Sequence, residues 1–216
     1  MKISVLIATV PPRHNVLNEL LKGIARQSPQ STEFVICSDD FRCSVGDKRN
    51  KLIEASSGEF VVFLDDDDQL HPCYFEILNR VLFYKNVDYV GYRMSRVFDG
   101  KKQLDEYRSI RYKKCFDDEF GSYRHISHTN PIRRSIASQF LFPSISRGED
   151  DDWCNQIFLS NFVIDEFFLN LPMYEQRFNS RNSTSQGSIK KDGSITQLKV
   201  PYGLLVKEIG EQRVFF

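Results

Sequence analysis

Four consecutive aspartates, Asp65 to Asp68, follow the apolar run Phe60, Val61, Val62, Phe63 and Leu64. Two carboxylates about 4 Å apart repel by roughly 4 kcal/mol at an effective dielectric of ~20. A proton on one of them, or a cation between them, relieves that cost. In an extended segment residues i and i+2 share a face, which pairs Asp65 with Asp67 and Asp66 with Asp68. Such an oxygen-only pair suits a hard divalent ion, Mg²⁺ or Mn²⁺, which keeps open positions for phosphate oxygens. The competing reading is a solvated acidic turn ahead of a helix that begins at Pro72, where acids suit the helix N-terminus. A second acidic group, Glu149 to Asp152, stands beside Trp153. It exceeds what capping a helix requires. A third, Asp39-Asp40, ends another apolar run.

The elements that must position these groups are legible as apolar runs. Residues 3–9 are apolar almost without interruption, as in a strand buried on both faces. Residues 33–39, 60–64 and 87–94 read as further strands. Between them, apolar residues at 16, 17, 20, 21 and 24 predict a helix over 16–27. A second helix is expected over 47–58, with Asp47 as N-cap and Gly58 as C-cap, and a third over 72–84, with Pro72 in the first turn. The alternation predicts an α/β fold, a Rossmann-like and mostly parallel sheet flanked by helices. Ligands of such sheets bind beyond the carboxyl ends of the strands, so Thr9-Val10-Pro11, Asp39-Asp40 and Asp65–Asp68 should converge. The second half is less regular. Residues 99–125 mix charges with Tyr107, Tyr112 and Tyr123 and read as a strand pair or an insertion, 149–160 as a helix, 162–174 as a strand passing into a loop, and 179–194 as a polar loop.

Composition narrows the class. Lys+Arg and Asp+Glu each number 29, and the resulting zero net charge argues against a general nucleic-acid coat protein. The five cysteines are scattered, with no CxxC pair, and read as reduced thiols of a cytoplasmic protein. No stretch approaches 18 apolar residues, so no membrane span is expected, and the run from Ile3 to Ala8 is too short for a signal sequence.

In this order and spacing the motifs resemble the family-2 glycosyltransferases of the GT-A fold. The resemblance rests on SVLIAT, LLKGIARQ, VICSDD, GDKRNKLIEASSGEF and FLDDDDQLHP, continuous over residues 3–80, and resumes at GEDDDW, residues 148–153. It implies a metal-dependent, inverting transfer of a sugar from a nucleotide-sugar, a UDP-sugar by preference, to an acceptor hydroxyl. Thr9, Pro11, Arg13, Asp39, Asp40, Arg49, Asp65 and Asp66 would bind the nucleotide. Asp67, with Asp65 or Asp68, would hold Mn²⁺ or Mg²⁺, the extra acid leaving the register open by one residue. Asp150 would be the general base, with Asp151 and Glu149 as neighbours in the motif. His128, Arg133, Arg134, Arg177 and Lys190 are candidates for diphosphate or acceptor contacts. Residues 1–178 would form one catalytic domain, a nucleotide-sugar half over 1–95 and a smaller, irregular acceptor half over 96–178. Residues 179–216 would form a mobile polar loop and C-terminal segment, acting as a lid or a linker.

The acceptor is expected to be a saccharide or a lipid-linked glycan. Nine lysines and arginines between residues 101 and 134, with three tyrosines among them, keep a modified base in DNA as an alternative acceptor. Readings from other classes are an Asp-dependent phosphohydrolase and a divalent-ion sugar-binding module. The first would want Thr or Val after the second Asp, where Asp68-Gln69 follows. The second has no need for GEDDDW.

Overall fold

A computed structural model describes residues 2–27, 31–178 and 212–215. In chain order the strands are β1 (Ile3–Thr9), β2 (Thr32–Ser38), β3 (Phe60–Phe63), β4 (Gln69–Leu70), β5 (Tyr89–Phe98), β6 (Lys101–Lys102), β7 (Glu106–Arg108), β8 (Phe116–Asp117), β9 (Ser122–Arg124), β10 (Ile132–Arg133), β11 (Glu166–Phe178) and β12 (Gln212–Phe215). The helices are α1 (His14–Ala25), α2 (Val45–Ala55), α3 (Tyr74–Tyr84), α4 (Arg134–Ala137) and α5 (Glu149–Ser160). The expected α/β alternation is present, with helices on both faces of one sheet.

The sheet runs β12-β2-β1-β3-β10-β5-β7-β9-β8. Its first four strands are mutually parallel. Antiparallel β10 then joins β3 to β5, and β11 lies parallel to β5. Alternate side chains of each central strand enter two cores. Ile3, Val5, Ile7, Phe60, Val62 and Leu64 pack with α1 and α3. Leu6, Val61 and Phe63 pack with α2 and α5. Burial on both faces is why these strands are apolar throughout. Each large side chain so covered contributes about 1.5–3 kcal/mol.

Several boundaries differ from expectation for physical reasons. Helix α2 is capped by Ser44, not Asp47. The Ser44 hydroxyl accepts from the Asp47 N–H at 3.0 Å and donates to Asp47 Oδ2 at 2.6 Å, a reciprocal cap. At the other end, the Ser56 hydroxyl donates to the Ile53 carbonyl and the helix closes at Ala55, ahead of Gly58. Gly46 lies in its first turn because a Cβ there would stand 1.9 Å from the Pro143 carbonyl oxygen. Residues 99–125 form four short strands at the sheet edge, not a single pair. Strand β11 begins later and continues further than the sequence suggested, with register shifts on either side of Pro172. Proline has no N–H to give the ladder, which accounts for the break. Residues 179–211, including the expected polar loop, lie outside the described residues. Gln212–Phe215 pairs in parallel with β2.

Candidate active site

The carboxyl ends of β1 and β3 meet at a cleft of about 300 Å³, and Asp39 at the end of β2 reaches it only through Lys48. Thr9, Arg13, Lys48, Arg49, Glu149 and Arg177 line it together with Asp65–Asp68. A neighbouring cavity of about 630 Å³ lies behind the aspartates against α1. Both volumes are in the range of small-molecule sites, but only the first meets Lys48, Arg49 and Glu149.

The four aspartates are not extended. They form a tight turn in which the Asp68 N–H reaches the Asp65 carbonyl at 3.3 Å. The alternation survives in exposure. The side chains of Asp65 and Asp67 are 36% and 41% exposed, whereas Asp66 and Asp68 are buried. Asp66 accepts from the Thr9 hydroxyl at 2.6 Å and pairs with Arg13 at 2.5 Å. The same guanidinium nitrogen reaches Asp67 at 2.6 Å. Asp68 accepts from the Tyr174 hydroxyl at 2.6 Å and the Arg177 N–H at 2.7 Å. Asp68, an expected metal ligand, has both oxygens engaged by internal donors, and the exposed pair is Asp65 and Asp67, the latter also paired with Arg13.

The electrostatics follow from this split. Burial pushes the Asp66 carboxyl up to about 6, against the pull of Arg13 and Thr9. Burial and the neighbouring Asp65 charge raise Asp68 well above the usual carboxylate range. Burial would raise Asp65 as well, but His128, Arg49 and Arg13 outweigh it and hold that carboxyl low. A like-charged turn thus resolves into members held charged by cations and members driven toward the neutral form.

Arg49 joins the two acidic motifs. It stands 3.3 Å from Asp65 and 3.4 Å from Glu149, over the rings of Phe63 and Phe142. Glu149 is buried, and burial raises its carboxyl despite Arg49. Gly148, at φ +78°, turns the chain into α5 in a conformation that suits glycine. Asp150 then lies 3.4 Å from His128 Nδ1, whose Nε2 is 3.7 Å from Asp65. Asp151 is exposed, and Asp152 accepts from Gln156 at 2.6 Å. Of this motif only Glu149 lines the cleft; Asp150 is linked to it through His128, and Asp151 is exposed.

Asp39 is fixed by Lys48 at 2.6 Å and by the N–H groups of Arg42 and Cys43. These donors outweigh burial and hold its carboxyl low. Asp40 is exposed, and Pro11 forms part of a 3-10 turn beside Thr9. Arg177 lines the cleft at the end of β11. Arg133 and Arg134 are elsewhere. Arg133 pairs with Glu59 at 3.1 Å and Asp88 at 3.2 Å, and Arg134 donates to the Gly58 carbonyl, all near the amino end of β3. Those internal partners account for both arginines, and neither reaches the cleft. Lys190 lies outside the described residues.

Two cleft residues escape the sequence reading. Lys48 is 3% exposed and donates to the Thr9 carbonyl as well as to Asp39. Its signal was present. Lys48 and Arg49 precede the buried Leu52 and Ile53 by four residues, which puts both cations on the inward face of α2. Tyr174 receives the Asp65 N–H at 3.1 Å while donating to Asp68, and no local pattern marks it.

The donor chemistry at the turn fits a hard divalent ion, two open carboxylates facing a cleft. Among the described residues no group of three His, Cys, Asp or Glu side chains forms a ready cage. A bound ion would therefore take further oxygens from a ligand.

Comparison with known proteins agrees with this geometry. Residues 43–141 match the model of Glycosyl transferase family 2. No curated protein sequence matches the chain significantly. Among solved structures, that of S. aureus TarS superposes with a TM-score of 0.63 at 18% identity, covering 82% of this chain and 37% of TarS. TarS 1-349 in complex with UDP gives 0.64 at 19% identity, and its complex with UDP-GlcNAc 0.65 at 18%. These matches cover 61% and 59% of the TarS 1-349 chains, so the present chain spans less than two thirds of the proteins it matches. On the family match and the shared fold, the chain resembles the family-2 glycosyltransferases of GT-A type.

Proposed function

We propose that this chain is an inverting glycosyltransferase that moves a sugar from a UDP-sugar to an acceptor hydroxyl on a saccharide or lipid-linked glycan. One observation carries the reading. The open pair Asp65 and Asp67 shares a cleft with Arg13, Lys48 and Arg49, and Asp150 stands beyond His128 on the other half of the fold. Arg13 and Arg177 face the position of a diphosphate, while Lys48 holds Asp39 in place for the base. Asp67 and Asp65 would hold Mn²⁺ or Mg²⁺, which supplies charge neutralisation for a departing diphosphate. Asp150 takes the proton of the acceptor hydroxyl. Glu149 is engaged by Arg49 and is not a second free carboxylate, which supports a single displacement with inversion.

The saccharide reading is favoured over DNA by the fate of the basic residues between 101 and 134. Arg108 pairs with Glu106, Arg124 with Asp117, and Arg133 with Asp88 and Glu59. Tyr107, Tyr123 and Phe116 stack on one another at the sheet edge.

Calorimetric titration of UDP, GDP and dTDP, each with and without Mn²⁺, tests the proposal. UDP should bind and should require Mn²⁺. Failure of every nucleotide to bind, with or without Mn²⁺, would overturn it.

A further inference from the structure

The His128 imidazole, like Arg49, stands between the two acidic motifs. It is 7% exposed. Its backbone carbonyl accepts from the Phe63 N–H at 3.1 Å, which ties it to the end of β3. Its neighbours Ser127, Thr129 and Asn130 are buried as well, and the hydroxyls of Ser127 and Thr129 meet at 2.9 Å. Asn130 donates to the Val90 carbonyl at 2.9 Å. The backbone that carries the ring is thus fixed at both ends. Nδ1 lies 3.4 Å from Asp150 Oδ2, and Nε2 is buried without a hydrogen bond, 3.7 Å from Asp65 Oδ2. Asp150 itself sits in the first turn of α5 and is about a third exposed. Its carboxylate meets His128 Nδ1 from across the cleft's acidic turn.

We propose that His128 is a positioning residue, whose Nδ1 side fixes the Asp150 carboxylate in the orientation that receives the acceptor proton. The inference rests on the glycosyltransferase reading above. A carboxylate at the surface of a helix turn samples several rotamers, and a base must be held within hydrogen-bond reach of its proton. A buried ring anchored to β3 supplies the fixed point. The edge of the ring facing Asp65 is not required for this role.

The two edges can be separated by substitution. Asparagine places an amide where Nδ1 stands, and glutamine places one near Nε2. The assay is release of UDP from UDP-glucose and UDP-GlcNAc with water as acceptor. Water attacks the anomeric carbon, its proton passes to Asp150, and the bond to the UDP oxygen breaks. His128→Asn should keep kcat within about fivefold of wild type. His128→Gln and His128→Ala should lower kcat by about 10–100-fold, with KM for the UDP-sugar changed less than about threefold. Crystal structures of the Asn and Gln variants give a second readout, with the Asp150 carboxylate in place in the first and displaced in the second. Equal kcat losses in Asn and Gln, a rise in KM with kcat preserved, or an undisturbed Asp150 in the Gln variant would overturn the inference alone. Absence of UDP release by the wild-type protein from any UDP-sugar would remove the glycosyltransferase reading, and this role with it.

Discussion

The two ends of the central sheet carry similar charges arranged to opposite purposes. At the amino ends of β1 to β3, Glu33 is buried, yet every nearby donor is aimed at it. Lys2 lies at 2.8 Å and the hydroxyls of Ser4 and Ser57 at 2.5 and 2.7 Å, with the Ser57 N–H beside them. Burial alone would raise this carboxyl, but these partners bring it down to about 2. Arg133 nearby is likewise shared between Asp88 and Glu59. At the carboxyl ends, four aspartates share Arg13, Arg49 and Tyr174, and two of them are driven toward the neutral form. The first end is satisfied from within, and the second lacks positive charge. An acidic excess that the fold itself leaves unbalanced is the mark of a site completed by a ligand.

Substitutions at the two ends should therefore separate activity from stability. The largest effect is expected for Asp150→Asn, which should lower turnover by about 10²–10⁴-fold while UDP affinity stays at the wild-type value, read by steady-state kinetics and calorimetry. Asp67→Ala should weaken Mn²⁺-dependent UDP binding by roughly 10–100-fold with the melting temperature unchanged or higher, since it removes like charge from the turn. Glu33→Ala should do the reverse. It strands buried donors at a cost of about 2–4 kcal/mol in denaturant unfolding, with UDP affinity retained. The smallest effect is in acid. The folded Glu33 carboxyl titrates near 2, below its ordinary 4.5. The unfolded chain binds that proton first, so the stabilisation is present above about 4.5 and is lost as pH falls through about 2. The stability gap between wild type and Glu33→Gln should narrow over that window, and a gap independent of pH would break the comparison.

The strands and part of the second end were legible in the sequence, whereas the Glu33 cluster at the first end was not. The strands that are buried on both faces announce themselves by unbroken apolar runs, and the order of strand and helix places their carboxyl ends together. Asp65 and Asp67 drew notice because like charges in a row demand a reason, whereas Arg13 and Asp150 were singled out through the family resemblance. Asp68 was misassigned because the turn and its partner Tyr174 depend on a strand more than a hundred residues away. Arg133 and Arg134 were read as candidates for an acceptor phosphate because their partners, Asp88 and Glu59 for the first and the Gly58 carbonyl for the second, are distant in sequence. Local pattern reports which side chains face inward. It does not report which cation belongs to which acid.

The pairing of β11 with β4 has a consequence for the order of assembly. Tyr174 on β11 holds both ends of the aspartate turn, and the Arg177 N–H holds it again, contacts that span 109, 106 and 109 residues. Closing loops of that size carries an entropic penalty before any contact rewards it. The parallel strands β1, β2 and β3 can pair while the chain is still short, but the acidic turn at their tips gains its fixed shape only when β11 arrives. The acidic turn therefore waits on β11, and a nascent chain stopped before residue 166 would carry the four aspartates without Tyr174 and Arg177 to shape them.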